Sequence, residues 1–130
     1  MQPKLVMTPL GQYEPVQWNG KNESGFLPIG DRVLILPDEF AEQTSGGIYV
    51  DETTRERNTK AAETGVLVAV GESAWYWNSD RTRRYEGAKP VPGQRLRFER
   101  YAGAIHHGHD GRLYRVLDDK SVSGVEAFVT

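Results

Sequence analysis

Three stretches of this 130-residue chain carry side chains capable of chemistry, and each reads two ways. His106-His107-Gly108-His109-Asp110 gathers three imidazoles and a carboxylate, donors suited to zinc, nickel or copper. Adjacent His106 and His107 on a strand would point to opposite faces, and no second cluster completes a coordination sphere. A hydrophilic loop leading into an Asp110-Gly111 turn is the better reading, with no metal bound. Trp75-Tyr76-Trp77, followed by Arg81, Arg83, Arg84 and Tyr85, can serve as a stacking platform with phosphate contacts or as a carbohydrate site. Its plainer reading is a hairpin whose aromatics pack across strands under stacked arginines. Ile48-Tyr49-Val50 is an apolar triplet alone in a polar segment, just after Gly46-Gly47. It is either a short strand after a Gly-Gly turn or an extended element that orders in a partner's groove. Two glycines permit positive φ at the sharp turn leading into it.

Covalent catalysis finds little support. There is no Gly-x-Ser-x-Gly elbow, no Gly-x-x-x-x-Gly-Lys-Ser/Thr phosphate loop, and no carboxylate pair within a pocket signature. The chain is therefore expected not to be an enzyme and to need no cofactor. Cysteine is absent, which removes disulfides, thiolate nucleophiles and iron–sulfur clusters. A net charge of −2 gives no strong pull toward nucleic acid or anionic membrane. The apolar runs Val33–Leu36 and Val66–Val70 fall far short of the ~20 residues of a membrane helix. The first ten residues carry prolines where a signal peptide needs an apolar stretch, so a cytoplasmic address is expected.

The elements that must position these groups read as strands. Val33–Leu36, bounded by Gly30 and Pro37, and the run from Thr64 to Gly71 are short buried strands. Gln94–Glu99 alternates, with Leu96 and Phe98 facing in. Arg112–Leu117 follows the Asp110-Gly111 turn, and Val122–Val129 fits a closing strand. No segment shows helical periodicity. Residues 1–27 lack either period and read as a separate arm whose Tyr13, Trp18 and Phe26 can pin it to a surface. Residues 38–63 form a long polar loop in which acids outnumber bases seven to three. The whole indicates a small all-β barrel or sandwich.

The order of the pieces resembles the GroES-type co-chaperonins. The pieces are Pro28-x-Gly-Asp-Arg-Val33, Ser45-Gly-Gly-Ile48, the run Gly65–Gly71, Val91-x-Gly93 with the strand to Phe98, and Tyr101-Ala-Gly103 before Asp110-Gly111 and Tyr114. The resemblance spans about residues 28–126. It implies a small irregular β-barrel over 28–130 with two excursions, assembled into a sevenfold dome-shaped ring, and an N-terminal extension at 1–27. Residues 38–63 match a mobile loop that binds the chaperonin, and 72–90 a roof β-hairpin. Gly46, Gly47, Ile48, Tyr49 and Val50 then match the chaperonin-binding element, although Tyr49 replaces a usually aliphatic residue. Trp75, Tyr76, Trp77, Arg83 and Arg84 would surround the roof orifice, and Tyr101 would face the cavity. Covering of sheet edges suggests subunit contacts near Val33, Leu34, Ile35, Leu36, Val122 and Val125. The implied partners are a GroEL-type chaperonin, which would bind and hydrolyse the ATP, six further copies of this chain, and an enclosed unfolded client. The arm and the large roof insertion depart from the minimal pattern and suggest a specialised, virus-encoded member in a host cytoplasm. The competing reading is a stand-alone ligand-binding β-domain using the Trp/Tyr/Arg insertion or the His-rich loop.

Overall fold

The computed structural model describes residues 6–8, 11–40, 51–78 and 80–127. Six strands form one antiparallel sheet in the order β7-β8-β3-β5-β6-β9. They are β3 (Arg32–Pro37), β5 (Thr64–Val70), β6 (Arg95–Phe98), β7 (Ala104–His107), β8 (Leu113–Asp118) and β9 (Val122–Val125). β3 and β5 are apolar without alternation because both of their faces are covered. Val33 and Ile35 pack with Leu67, Leu96, Phe98 and Leu117 on one face. Leu34 and Leu36 pack with Val68 and Tyr114 on the other. The β3–β5 register slips between Leu34↔Ala69 and Ile35↔Leu67, so Val68 is the extra residue of a bulge that bends the sheet.

The second face is closed by the N-terminal arm. Within it, β1 (Val6–Thr8) pairs with β2 (Gly11–Glu14), and β2 pairs with β4 (Glu39–Phe40). Val16, Trp18 and Phe26 then lie against the Leu34, Leu36, Val68 and Tyr114 face. Tyr13 is fully buried, with its ring edge-on to Phe40 at 5.3 Å and its hydroxyl donating to Asn58 O at 2.9 Å. The arm is thus part of the folded body over its described residues. Removing it would expose the apolar face beneath.

One element runs against the all-strand expectation. Residues 52–61, inside the stretch read as a polar loop, form helix α1 (Glu52–Ala61). Asp51 caps it by accepting from Thr54 N at 2.8 Å, and Glu52 and Lys60 suit its two ends. Only Thr59 and Ala61 are buried. The helix is polar all round, which is why no 3.6-residue period betrayed it.

Candidate functional site

The excursion between β3 and β5 leaves and rejoins the sheet through a tight neck. Asp38 N donates to Thr64 O at 3.0 Å, joining the two ends of the loop. The Asp38 carboxylate is buried beneath them and accepts from Thr64 Oγ1 at 2.6 Å and from Val16 N at 3.0 Å. Arg95 on β6 closes the knot with two bonds to the same carboxylate, at 3.0 and 2.6 Å. Burial pulls the Arg95 guanidinium down, but the Asp38 and Glu126 carboxylates more than offset this and hold it above its ordinary value. A buried carboxylate is tolerable here because a planar fork fills its lone pairs. One side chain therefore ties β3, β5, β6 and the arm together at the base of the loop.

A second knot lies where α1 ends. Arg115 on β8 is fully buried and has no carboxylate partner among the described residues. Its guanidinium donates to Ala62 O at 2.6 Å, Ala102 O at 2.7 Å and Glu99 O at 3.0 Å, and lies 4.9 Å from the Phe98 ring centroid. Burial pushes it down to about 10. The electronegative carbonyls past the helix C-terminus and in the turn after β6 offset part of that cost, while Arg115 Nε is left without a hydrogen-bond partner among the described residues. Tyr101 N also caps this end by donating to Lys60 O at 2.9 Å.

The apolar triplet Ile48, Tyr49 and Val50, with Gly46 and Gly47, lies outside the described residues. Its boundaries are described: β4 ends at Phe40 and the α1 cap begins at Asp51.

The aromatic insertion holds together locally. Asn78 N donates to Arg83 O and Tyr85 N to Tyr76 O, which leaves a single antiparallel bridge, Trp77↔Arg84, in place of a full ladder. Tyr76 meets Trp77 edge-on at 5.0 Å, and Arg84 stacks over Tyr76 at 4.8 Å. Trp75 reaches back to the core, while Trp77 and Tyr85 are exposed. Arg81, with a left-handed φ of 61°, anchors the insertion by donating to Asp31 at 2.8 Å and Asp119 at 3.0 Å. Buried Asp119 also accepts from Trp75 N at 2.8 Å. Asp80 is taken by Thr82, so Arg83 and Arg84 are exposed with no carboxylate partner among the described residues. A cleft of about 300 Å³ lies between Trp75, Trp77, Tyr85 and β9.

The three histidines are split. His106 Nε2 meets Ser24 O at 3.0 Å and its ring lies tilted against Phe26 at 4.9 Å, while His109 covers Gly25. His107 turns the other way, as alternation along β7 requires, toward Glu56 at 2.8 Å and Glu52 at 3.6 Å on α1. Tyr101 is exposed on a left-handed turn at φ 63°.

The expected subunit contact at Val33, Leu34, Ile35 and Leu36 needs correction. β3 is an inner strand with both edges paired inside the chain, to β5 and β8, and these four side chains are fully buried. They have no surface to offer a neighbour. Exposed apolar residues lie instead at Leu27 and Ile29 ahead of β3, and at Val125 on the outer strand β9. Val122 is half-buried against the core.

Sequence reasoning did not single out Asp38, Arg95 or Arg115, and it read Arg81 as part of a stacking platform rather than as the anchor to Asp31 and Asp119, although all four organise the loops. The neck has one signal in retrospect: an acid directly after a buried strand, where a carboxylate must be paired.

Comparison with known proteins agrees with this architecture. The family model described as chaperonin 10 Kd subunit matches residues 26–126. The co-chaperonin GroES of Lactobacillus acidophilus is 31% identical over 99 residues, covering 76% of this chain and 96% of that protein. The co-chaperonin GroES of Bacillus sp. is 33% identical over 98 residues, covering 75% and 95%. That of Treponema denticola is 36% identical over 76 residues, covering 58% and 69%. The matched region begins at Phe26, after most of the arm.

Proposed function

Because the chain belongs to the chaperonin 10 Kd subunit family, we propose that it is a co-chaperonin that caps a GroEL-type double-ring chaperonin and encloses an unfolded client. It acts as a passive lid: it binds, closes a chamber and leaves, while the partner hydrolyses the ATP. Docking is assigned to Ile48-Tyr49-Val50, together with the preceding Gly46-Gly47. The ring is a homo-heptamer whose neighbours meet through Leu27, Ile29 and the outer edge of β9. The aromatic insertion forms the roof, where uncompensated Arg83 and Arg84 from seven copies repel and favour an orifice over a seal. Tyr101 faces the chamber.

Family membership over residues 26–126 carries this reading. The loop neck supports it, since a docking segment is useful only if the body holds both of its ends, and Asp38, Thr64 and Arg95 do so. The rival ligand-binding reading is disfavoured at the aromatic cleft. Its buried acid, Asp119, is already spent on Arg81 and Trp75 N, which leaves few inward polar groups to fix a ligand.

The test is light scattering of the protein alone, then with a double-ring chaperonin and nucleotide, for wild type and Ile48→Asp. The expected result is a sevenfold ring that joins the chaperonin only with nucleotide, and an Ile48→Asp ring that assembles but does not join. A fully active Ile48→Asp variant refutes the docking assignment, and a monomer that never binds refutes the lid.

A further inference from the structure

Helix α1 lies against strand β7 with an unusual set of facing groups. Glu52 and Glu56 stand one turn apart on the same side of the helix, and His107 of β7 stands between them. One ligand atom from each residue lies within 4.8 Å of the other two. His107 Nε2 is 2.8 Å from Glu56 Oε1, and Nδ1 is 3.6 Å from Glu52 Oε1. A neutral imidazole donates from one nitrogen and presents a lone pair at the other. In either neutral tautomer one carboxylate oxygen then faces a lone pair, an opposition that a second proton or a bound cation removes. The two carboxylates also repel each other at i,i+4. Arg55 relieves this only in part, since it sits 3.8 Å from Glu52 and donates its other nitrogen to Gly111 O at 3.0 Å.

We propose that Glu52, Glu56 and His107 form a divalent-metal site of the zinc class. A dication held by two carboxylate oxygens and one imidazole nitrogen turns every opposition in the cluster into an attraction. One nitrogen and two oxygens are a donor set that zinc accepts, and the exposed side leaves a fourth position for water. Donors about 2.1 Å from a tetrahedral ion lie roughly 3.4 Å from one another, so the side chains need only rotamer-scale adjustment to close on it.

The scaffold is held independently of the ion. Arg55 bonds Gly111 beyond the end of β7, Lys60 Nζ donates to Gly103 O, and Asn58 O receives the Tyr13 hydroxyl. These contacts set the helix on β7 in the register that brings Glu52 and Glu56 to His107. The helix also has reason to use the ion. It has ten residues, buries only Thr59 and Ala61 near its C-terminal end, and has no apolar stripe over its first turns. A helix so short and polar is marginal alone, so polar cross-links decide whether its N-terminal half is ordered. The site does not rest on the lid reading. Given that reading, the ion would fasten the chain directly after the docking segment.

The test is calorimetric titration of the full-length protein with zinc chloride, with calcium and magnesium chloride as comparisons. The expected result is one zinc per chain and no comparable heat with calcium or magnesium. His107→Ala and Glu56→Gln should each weaken zinc at least about tenfold, since loss of a ligand costs no less than loss of a supporting group, for which about 10–100-fold is typical. His109→Gln, which alters an imidazole outside the cluster, should bind as wild type. Zinc should also slow amide exchange over residues 52–58 in wild type and not in His107→Ala. Failure of wild type to take up zinc overturns the site. So does wild-type affinity in either His107→Ala or Glu56→Gln, or protection that appears away from α1. Glu56→Gln keeps the shape of a half-buried side chain, so its result is read on a folded protein.

Discussion

Replacing Asp38 by alanine removes the acceptor of four hydrogen bonds at the loop neck, from Val16 N, Thr64 Oγ1 and both terminal nitrogens of Arg95. The Asp38 side chain is 0% exposed and that of Arg95 is 20% exposed, so little water can replace the lost partner. Truncating one member of a buried ion pair costs about 3–5 kcal/mol, because the remaining charge is left uncompensated. Arg95 keeps Glu126 at 3.2 Å, and that carboxylate is partly exposed, which sets the expectation near the lower end, about 3 kcal/mol. For a chain this size that lowers Tm by roughly 10–15 °C. Melts must be compared at one protein concentration, since assembly would add to apparent stability. The second arm of the experiment is Arg95→Met and the double variant. With both charges gone no buried ion is orphaned, so the double variant should be more stable than the sum of the single losses by about 2 kcal/mol or more. A loss below about 1 kcal/mol in Asp38→Ala, or strict additivity, would falsify the claim that this pair holds the neck.

Further expectations follow from the other knots. Arg81→Ala should release the aromatic insertion, with faster proteolysis between residues 75 and 90 and a barrel weakened by only about 1–3 kcal/mol; unchanged proteolysis would remove Arg81 from its anchoring role. Burial, then donation to Asp110, holds the Tyr114 hydroxyl above the ordinary tyrosine range. Its stabilising contribution is complete below about pH 10 and is lost as pH rises beyond it, because the unfolded chain ionises first. Tyr114→Phe should therefore flatten the alkaline fall in Tm, with Tyr13, also raised by burial, contributing to what remains. Reversing Arg83 and Arg84 to glutamate should change contacts at the roof and leave chaperonin binding intact; lost binding would show that these arginines do not belong to a roof.

How much of this was legible depended on whether a residue's role is local. β3 and β5 could be read because they are unbroken apolar runs between Gly or Pro, and β6 because Leu96 and Phe98 alternate with charged residues. The arm's aromatics could be read as pins, and Trp18 and Phe26 do pack on the sheet. Helix α1 could not be read from periodicity, since a helix without an apolar stripe has none, although Asp51 and Glu52 are start signals of the ordinary kind. The contact expected at Val33–Leu36 failed for a different reason. A strand's sequence shows that it is buried, but not whether its edges face kin within the chain or a second copy. Arg115 was invisible because arginine is rarely inside, and its compensation comes from three carbonyls distant in sequence. The same distance hid Asp38 from Arg95, 57 residues away.

Magnitudes explain why a lid built this way would be a ring. Three buried apolar side chains yield on the order of 5–9 kcal/mol. Fixing even six residues of backbone opposes this with roughly 6–12 kcal/mol. A single docking segment is thus close to break-even. A body that holds both ends of the segment changes the balance in two ways. The neck at Asp38 and Thr64 and helix α1, beginning at Glu52, hold the chain on either side of the segment. In the proposed ring, the sheet behind it would fix where each copy's segment emerges, so that after the first contact the rest would bind at a high effective concentration. On the proposed reading, many weak contacts on one rigid frame would give tight closure, and a modest weakening of each, multiplied by the number of copies, would be enough to release the lid.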